Sequence, residues 1–158
     1  MTPCGGNLHL MPVVEMDKQI GAPVERVMEV ARDLEAYPTF MPDVKSIQVN
    51  SREQDGDLVI SEWVGRIPQF GLTVKWKQED RWNRELRRVD FRQTEGDYDK
   101  MVGYWEFREK DGGTELHSYL EYEYDVPLLG ALLKKVVLHI VTQNVSGMLD
   151  AIRRRSES

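Results

Sequence analysis

The sequence predicts an α+β fold in which a curved antiparallel sheet wraps around one long C-terminal helix. Through the middle of the chain, side chains alternate between apolar and polar, as they do in strands that bury one face. The segment from Pro127 to about Arg155 has a helical period instead, with a wide apolar stripe. At roughly 25 residues and 1.5 Å per residue, this helix would be about 37 Å long and able to cover a sheet.

Length, charge and cysteine content narrow the class of protein. The 158 residues fit one domain, and we expect a flexible leader at residues 1–10 before a single domain at residues 11–155. The net charge of −6 argues against nucleic acid as the main partner. Cys4 is the single cysteine, so we expect a reducing compartment, the cytoplasm. The sequence also lacks an apolar run of the roughly 18–20 residues that a membrane span needs.

The first part of the chain predicts one strand followed by two short helices. Residues Met11–Ile20 alternate as a strand with one buried face. Pro23 suits the first turn of a helix, and the apolar residues after it recur at helical spacing. Asp33 can cap a second short helix. We expect Tyr37-Pro38 to end that helix, because the residue before a proline disfavours the α conformation.

The remaining strands follow one another with hairpin-length turns between them. Asp55-Gly56 and Asp111-Gly112-Gly113 are typical turn sequences, so neighbouring strands should pair as an antiparallel meander. With the first strand this gives a sheet of six or seven strands, whose apolar face must be buried against the long helix. The predicted strands are Val44–Ser51, Leu58–Arg66, Leu72–Trp82, Glu85–Gln93, Lys100–Glu109 and Thr114–Asp125.

Four stretches of the sequence resemble a known family. Ile20–Val27 and Asp33–Val44 are similar to the opening signature of the START-like (SRPBCC) superfamily, and more narrowly to its polyketide cyclase/dehydrase and coenzyme-Q-binding START-domain branch. Gly103–Phe107 and Gly113–Leu116 match the late strands of that branch. The resemblance implies the helix-grip fold, with a hydrophobic cavity between the long helix and the sheet. It does not choose among the lipid carriers, quinone binders and aromatase/cyclases of the superfamily.

Aromatic residues are the first candidates for contact with a ligand in such a cavity. Trp63 and Trp76 lie on predicted strands, whereas Tyr37, Phe40 and Met41 lie on the connection that would close one end of the grip. These side chains either pack in the core or form a flat apolar wall for an aromatic or isoprenoid ligand. In the second case the indole N–H groups would offer hydrogen bonds.

The middle of the long helix carries a second set of candidates. Asn144 interrupts the apolar stripe on a face shared with Ile140 and Met148, and Gly147 lies close to it. Glycine inside a helix costs roughly 1 kcal/mol relative to alanine. Either Asn144 pairs with a backbone group of a strand and Gly147 permits close approach of helix and sheet, or the notch forms part of the ligand site. Replacing Asn144 with leucine separates the two, because only the second predicts weaker ligand binding.

Catalytic residues are unknown from the sequence, with two candidates. The resemblance implies that aromatase/cyclases use a cavity arginine directly after the glycine that precedes the fourth strand, but here Leu72 follows Gly71. Arg66 is the nearest substitute, and Glu62 lies on the same side of the preceding strand. Their spacing is in phase with apolar residues, so we expect both to point inward. They would be either a catalytic pair or a structural ion pair.

The leading functional hypothesis is binding of a hydrophobic small molecule in the cavity, such as a quinone, an isoprenoid, a lipid or a polyketide-like aromatic. Metal-ligand spacing, a nucleophile elbow and a phosphate loop are absent from the sequence, so we expect neither a metal nor a cofactor. One alternative is a polyketide cyclase, aromatase or dehydratase that uses the same cavity. Another is a macromolecular interaction protein with a vestigial cavity. Whether the chain forms a homodimer stays open.

Overall fold

The computed structural model describes residues 12–124 and 131–158. The leader predicted at residues 1–10 lies outside these ranges, as do Leu129 and the side chains of Leu132 and Leu133 from the predicted helix stripe. The described residues comprise a seven-stranded sheet, three helices and short turns, in the order strand, helices, six strands, long helix. This order agrees with the one predicted from the sequence.

All strand pairs in the sheet are antiparallel, and the strand order is β1-β7-β6-β5-β4-β3-β2. Each strand from β2 onward pairs with its neighbour in the chain, which confirms the meander, and β1 pairs with β7. The strands are β1 Val13–Ile20, β2 Val44–Glu53, β3 Leu58–Ile67, β4 Leu72–Asn83, β5 Arg88–Gly96, β6 Lys100–Lys110 and β7 Gly113–Glu123.

The fifth strand begins three residues later than predicted. The turn before it is longer, because the Oδ1 atom of Asn83 accepts a hydrogen bond from the backbone N–H of Leu86 at 3.0 Å. Arg87 then adopts a positive φ of 50°, which a strand does not contain. The prediction that Glu85 starts the strand was therefore wrong, since a side-chain–backbone bond competes with the sheet ladder here.

The early helices are α1 at Val24–Arg32, a single 3₁₀ turn at Leu34–Ala36, and α2 at Tyr37–Phe40. Asp33 precedes the 3₁₀ turn but makes no side-chain capping bond. The second short helix ends at Ala36, next to Tyr37-Pro38 as expected, but the expected reason, a non-helical conformation of Tyr37, was wrong. Tyr37 has helical angles (φ −49°, ψ −45°), and Pro38 lies in the first turn of α2, where its missing N–H is not needed.

The C-terminal helix, α3 at Ala131–Glu157, packs against β1 and α1. Ile140, Leu149 and Ile152 of the predicted stripe are buried, and Val145 and Met148 pack against the main core cluster. Val136 was expected on the stripe but is 37% exposed. Its neighbours Val137 and Leu138 pack against the core in that turn instead. None of the described helices is long and apolar enough to cross a membrane.

Polar contacts fix the C-terminal half of α3 to the start of the domain. The Lys18 ammonium lies 2.9 Å from the Asp150 carboxylate, which ties β1 to the helix. The Glu157 carboxylate accepts a hydrogen bond of 2.8 Å from the backbone N–H of Gly21. One end of α3 is therefore anchored to the sheet, and the space under its middle is bounded by the sheet's inner face.

Candidate ligand-binding site

A cavity of about 110 Å³ lies between the inner face of the sheet and the middle of α3. The sheet supplies most of its wall, α3 contributes two side chains, and the segment around α2 closes one end. All four tryptophans of the chain line this one space. The aromatic lining residues are Tyr37, Trp63, Trp76, Trp82, Phe91 and Trp105.

The aromatic wall is built by strand register. Trp63 and Trp76 lie directly opposite each other on β3 and β4, and their rings stack at 5.4 Å with an interplanar angle of 19°. Tyr37 meets the Trp63 ring edge-on at 5.8 Å. Gly96 pairs with Trp76 from β5 at a φ of 154°, and a Cβ there would lie 2.5 Å from the Trp76 Cβ. Only glycine therefore lets the Trp76 backbone sit where it completes the wall.

Three polar groups on these aromatic rings already have acceptors inside the protein. The Trp63 indole N–H donates to the Ser61 hydroxyl at 2.9 Å, and the Tyr37 hydroxyl donates to the Ala31 carbonyl at 2.6 Å. Trp76 donates its indole N–H to the side-chain oxygen of Gln78 at 2.9 Å. Burial raises the pKa of Tyr37 well above its usual value, so its hydroxyl stays neutral. The polar atoms of these three rings are therefore already satisfied within the protein.

Two polar residues, Gln78 and Asp80, lie between the tryptophans on the inner face of β4. Gln78 donates from its side-chain nitrogen to Oδ1 of Asp80 at 2.8 Å, and Asp80 is only 4% exposed. Asp80 lies opposite Val59 on β3 and Phe91 on β5, so its surroundings are largely apolar. Burial raises the pKa of Asp80 to about 7, although the Gln78 hydrogen bond opposes this. Within residues 12–124 and 131–158, Asp80 forms no ion pair.

Gln78 and Asp80 are site residues that the sequence analysis missed. Both are in phase with Val74, Trp76 and Trp82, which face the interior on the same strand. Polar residues that alternate in step with inward tryptophans were a detectable signal, because a buried carboxyl is rare unless it is paired or functional.

Four of the predicted ligand-binding residues, Tyr37, Trp63, Trp76 and Met148, line the cavity. Phe40 and Met41 lie behind this wall and belong to the core or pack against it. The Phe40 ring meets Tyr37 edge-on at 5.7 Å, and the Arg155 guanidinium lies 4.9 Å from its centroid. Contact of any of these residues with a ligand stays a prediction.

The predicted notch on α3 lies beside the cavity and contributes no lining residue. Ile140 is buried, Asn144 is half-buried and Gly147 is exposed. A Cβ at Gly147 would meet no atom within 4 Å, so the alternative explanation, close helix–sheet approach at this glycine, was wrong. Val145, which follows Asn144, is the residue of this turn that lines the cavity.

The two catalytic candidates of the sequence analysis lie on the opposite face of β3. Glu62 accepts a hydrogen bond from the Asn50 amide at 3.1 Å, and Arg66 is exposed. The expectation that they point inward was wrong, because the inner face of β3 is occupied by residues of the other phase, including Ser61 and Trp63. In the described ranges of the chain, no group of three or more histidine, cysteine or carboxylate side chains could hold a metal ion.

Comparison with known proteins identifies the family of this chain. A family model described as polyketide cyclase / dehydrase and lipid transport matches residues 20–149. A Streptomyces cyaneus protein that bears the name of a polyketide cyclase is 31% identical over 104 residues, which cover 65% of this chain and 67% of that protein.

Two solved structures share the fold over nearly the whole chain. TTHA0849 from Thermus thermophilus is 35% identical, with a TM-score of 0.85 and coverage of 92% of this chain and 97% of that one. The Zhui aromatase/cyclase from Streptomyces sp. R1128 is 19% identical, with a TM-score of 0.84 and coverage of 94% of each chain. The sheet wrapped on α3 is thus the helix grip of these structures. The chain belongs to the family described as polyketide cyclase / dehydrase and lipid transport.

Proposed function

We propose that this protein binds a hydrophobic small molecule with an aromatic part in the cavity between α3 and the sheet. The observation that carries the proposal is the cavity wall, in which six aromatic side chains surround one space. Burial of a ligand's apolar surface there is favourable by about 25 cal/mol per Å², and ring–ring contacts add to it. The names of the matched family and relatives, which refer to polyketides and lipids, agree with a ligand of this kind.

The size of the cavity limits what enters without rearrangement. A cavity of about 150 Å³ is known to hold benzene, so a space of about 110 Å³ fits one small ring at most. Val145 and Met148 are the two described α3 side chains in the wall. Methionine is unbranched and adapts to irregular spaces. A quinone or a polyketide-like ligand would therefore enter by displacing Met148 from the cavity.

The wall favours flat rings over flexible chains. Trp63 and Trp76 present a stacked pair, and Tyr37 stands edge-on to it, so the wall offers both ring faces and ring edges. Aromatic rings prefer offset-stacked or edge-to-face contacts with such partners. An isoprenoid or a fatty acyl chain would gain only the free energy of burying apolar surface, without ring–ring contacts. Among quinone, isoprenoid, lipid and polyketide-like aromatic ligands, we therefore favour those with a ring.

The test uses the tryptophans as reporters, because all four line the cavity. We expect toluene and 1,4-naphthoquinone to shift the indole N–H signals in ¹H–¹⁵N NMR spectra in a saturable manner. The variant Val145→Phe should weaken this binding at least tenfold, because the larger ring fills the space. The neighbouring variant Asn144→Leu is the matched control and should bind like the wild type.

The outcomes of this test separate two possibilities. Absence of saturable shifts with either compound, together with no apolar ligand extracted from freshly purified protein, would contradict the proposal. A stronger effect of Asn144→Leu than of Val145→Phe would move the site toward the predicted notch on α3.

A second candidate function is a cyclase- or dehydratase-type enzyme that uses the same cavity. The observation that favours it is Asp80, whose pKa of about 7 lets a carboxyl both donate and accept a proton near neutral pH. Cyclisation and dehydration of a polyketide need such transfers at carbonyl and hydroxyl oxygens. We expect Asp80→Asn to retain ligand binding but lose turnover of a poly-β-ketone substrate. The control Glu62→Gln, on the outer face, should keep turnover, and equal activity of both variants would contradict catalysis by Asp80.

A further inference from the structure

Asp80 is the one carboxyl group in the described lining of the cavity, and its hydrogen bonding is incomplete. Gln78 donates to Oδ1, and no other hydrogen bond to the Asp80 side chain occurs among residues 12–124 and 131–158. A carboxylate has about four acceptor positions on its two oxygens. Buried polar groups are normally satisfied, so one left with free acceptor positions inside a cavity calls for an explanation. The simplest explanation is that a ligand supplies the missing donor.

Three donors around Asp80 bond to other groups. The Trp76 indole N–H is bonded to Gln78, and the Tyr37 hydroxyl is bonded to a backbone carbonyl. Arg32 lies over the Trp82 ring at 4.7 Å, but its guanidinium donates to the Gly56 carbonyl and to the Asp57 carboxylate. None of these three donors bonds to Asp80, which lines the cavity. A ligand that fits only the aromatic surface would leave the free acceptor positions of Asp80 unpaired.

The environment favours a neutral donor over a cation. The Asp80 side chain is 4% exposed, lies between Val59 and Phe91, and shares the wall with six aromatic rings. Moving an ammonium ion into such a site costs several kcal/mol of desolvation. A hydroxyl group costs much less and pairs with the carboxyl in either protonation state, since it both donates and accepts. On an aromatic or enol carbon, the same hydroxyl is attached to a flat group that suits the wall.

We propose that Asp80, held by Gln78, is the specificity-determining residue of the cavity and binds the hydroxyl group of a phenol or enol ligand. The hydroxyl donates to the free oxygen of Asp80 while the ring lies against Trp63 and Trp76. This inference rests on the proposed binding function and narrows its ligand class. Hydroxylated rings are selected over alkyl, isoprenoid and fully ketonic molecules. Ser118, the other hydroxyl-bearing residue in the described lining besides Tyr37, is not needed for this selection.

The experiment compares p-cresol with p-xylene, two rings of nearly equal size that differ by a hydroxyl in place of a methyl group. Binding to the full chain is followed at pH 8 through the indole N–H signals of the four tryptophans. A purely apolar cavity would prefer p-xylene, which leaves water more readily. With Asp80 as the acceptor, we expect p-cresol to bind at least tenfold more tightly, since hydrogen bonds to charged groups are the strong ones.

The variants assign the preference to a residue. Asp80→Leu should remove the preference for p-cresol and make p-xylene the tighter ligand. Asp80→Asn should reduce the preference for p-cresol, and Ser118→Ala should retain it. A preference that survives in Asp80→Leu, or that disappears in Ser118→Ala alone, would overturn the assignment. Equal binding of both compounds to the wild type would overturn this inference while leaving the proposed function intact, and binding of neither would remove both. Tighter binding of 4-methylbenzylamine than of p-cresol would identify a cation site instead.

Discussion

Glu79 and Asp80 are neighbours in the chain and carry the same chemical group, but they lie on opposite faces of β4. The Glu79 carboxylate accepts hydrogen bonds from Arg92 at 3.0 Å and Arg81 at 3.2 Å, and these bonds lower its pKa. Asp80 faces the cavity with Gln78 as its described donor, and burial raises its pKa to about 7. One residue of displacement along a strand therefore reverses the electrostatic environment of a carboxyl group.

The two faces of the sheet differ in how they accommodate charged side chains. The outer face pairs charges with one another at the surface, where an ion pair contributes up to about 1 kcal/mol. On the inner face, the Asp80 carboxylate has no counter-ion among the described residues, which disfavours the folded state whenever its charge is present. A structural role would be served better by an apolar residue at position 80, such as the Val59 and Phe91 that flank Asp80. The loss of stability that the buried Asp80 charge causes is therefore understandable if this residue binds a ligand.

The largest expected effect is a pH-dependent stabilisation by Asp80→Asn. The folded-state pKa of Asp80 is raised from 3.8 to about 7, so the protonated form fits the fold better. Its contribution to stability is complete below pH 3.8 and is lost as the pH rises toward 7. At 1.36 kcal/mol per pKa unit, the loss approaches about 4 kcal/mol at pH 8. Asparagine has no charge to bury and keeps an oxygen that accepts the Gln78 hydrogen bond. The variant should therefore recover most of the stability that the wild type loses at pH 8.

Urea unfolding of wild type and Asp80→Asn at pH 5, 6, 7 and 8 measures the effect. The difference in the free energy of unfolding should grow with pH and level off above pH 7. Tyr37, the other titratable side chain in the cavity wall near Asp80, stays neutral over this range and does not contribute. A difference that is constant with pH would mean that Asp80 titrates at its ordinary value, and that the inner face resembles the outer one.

The second effect is a loss of stability in Gln78→Leu, which removes the donor to Asp80 and the acceptor of the Trp76 indole. Leaving a buried polar group unpaired costs about 1–3 kcal/mol. The loss should be larger at pH 8 than at pH 5, because the hydrogen bond favours the charged form of Asp80. Gln48→Leu, at an exposed position on β2, is the control and should change stability by less than about 0.5 kcal/mol. Equal losses in the two variants would show that the hydrogen bonds from Trp76 to Gln78 and from Gln78 to Asp80 do not stabilise the fold.

The third effect has the opposite pH dependence and comes from the outer face. Glu79→Gln removes the acceptor shared by Arg92 and Arg81, and we expect a loss of about 1 kcal/mol at pH 7. Because the folded-state pKa of Glu79 is lowered, its contribution is present above pH 4.5 and is lost as the pH falls through the folded value. In a urea series extended down to pH 3, the deficit of this variant should therefore shrink as the pH falls below 4.5, and it should also shrink with added salt. A deficit that grows toward low pH would contradict the assignment.

The fold was predictable because its signals are periodic and repeated. The alternation of β4 and the stripe through Ile140, Leu149 and Ile152 each extend over many residues, so one exception does not disturb the pattern. The predictions that failed depend on single local bonds. The Asn83 side chain bonds to Leu86 and delays β5, and Pro38 is accommodated at the start of a helix rather than at its end.

The site was less predictable than the fold, for a physical reason. Strand phase alone does not say which of two alternating sets faces inward when both contain apolar and polar residues. In β3, Leu58 and Ile60 indicated the wrong face for Glu62 and Arg66, whereas Ser61 and Trp63 occupy the inner one. Asp80 was missed because carboxyl groups are usually solvated. Its burial follows from packing between β3, β5 and the segment around α2, which sequence spacing does not report.

The smallest expected effect tests whether an unpaired inner-face group is costly without a charge. The Tyr122 hydroxyl is buried on β7 and has no hydrogen-bond partner among the described residues, and burial raises its pKa to about 12. Tyr122→Phe should therefore leave stability unchanged or raise it by up to about 1 kcal/mol, with no pH dependence between pH 5 and 8. Tyr37→Phe is the matched control, because its hydroxyl donates to the Ala31 carbonyl, and it should lose about 1 kcal/mol. A loss in Tyr122→Phe as large as in Tyr37→Phe would reveal an acceptor for this hydroxyl outside the described residues.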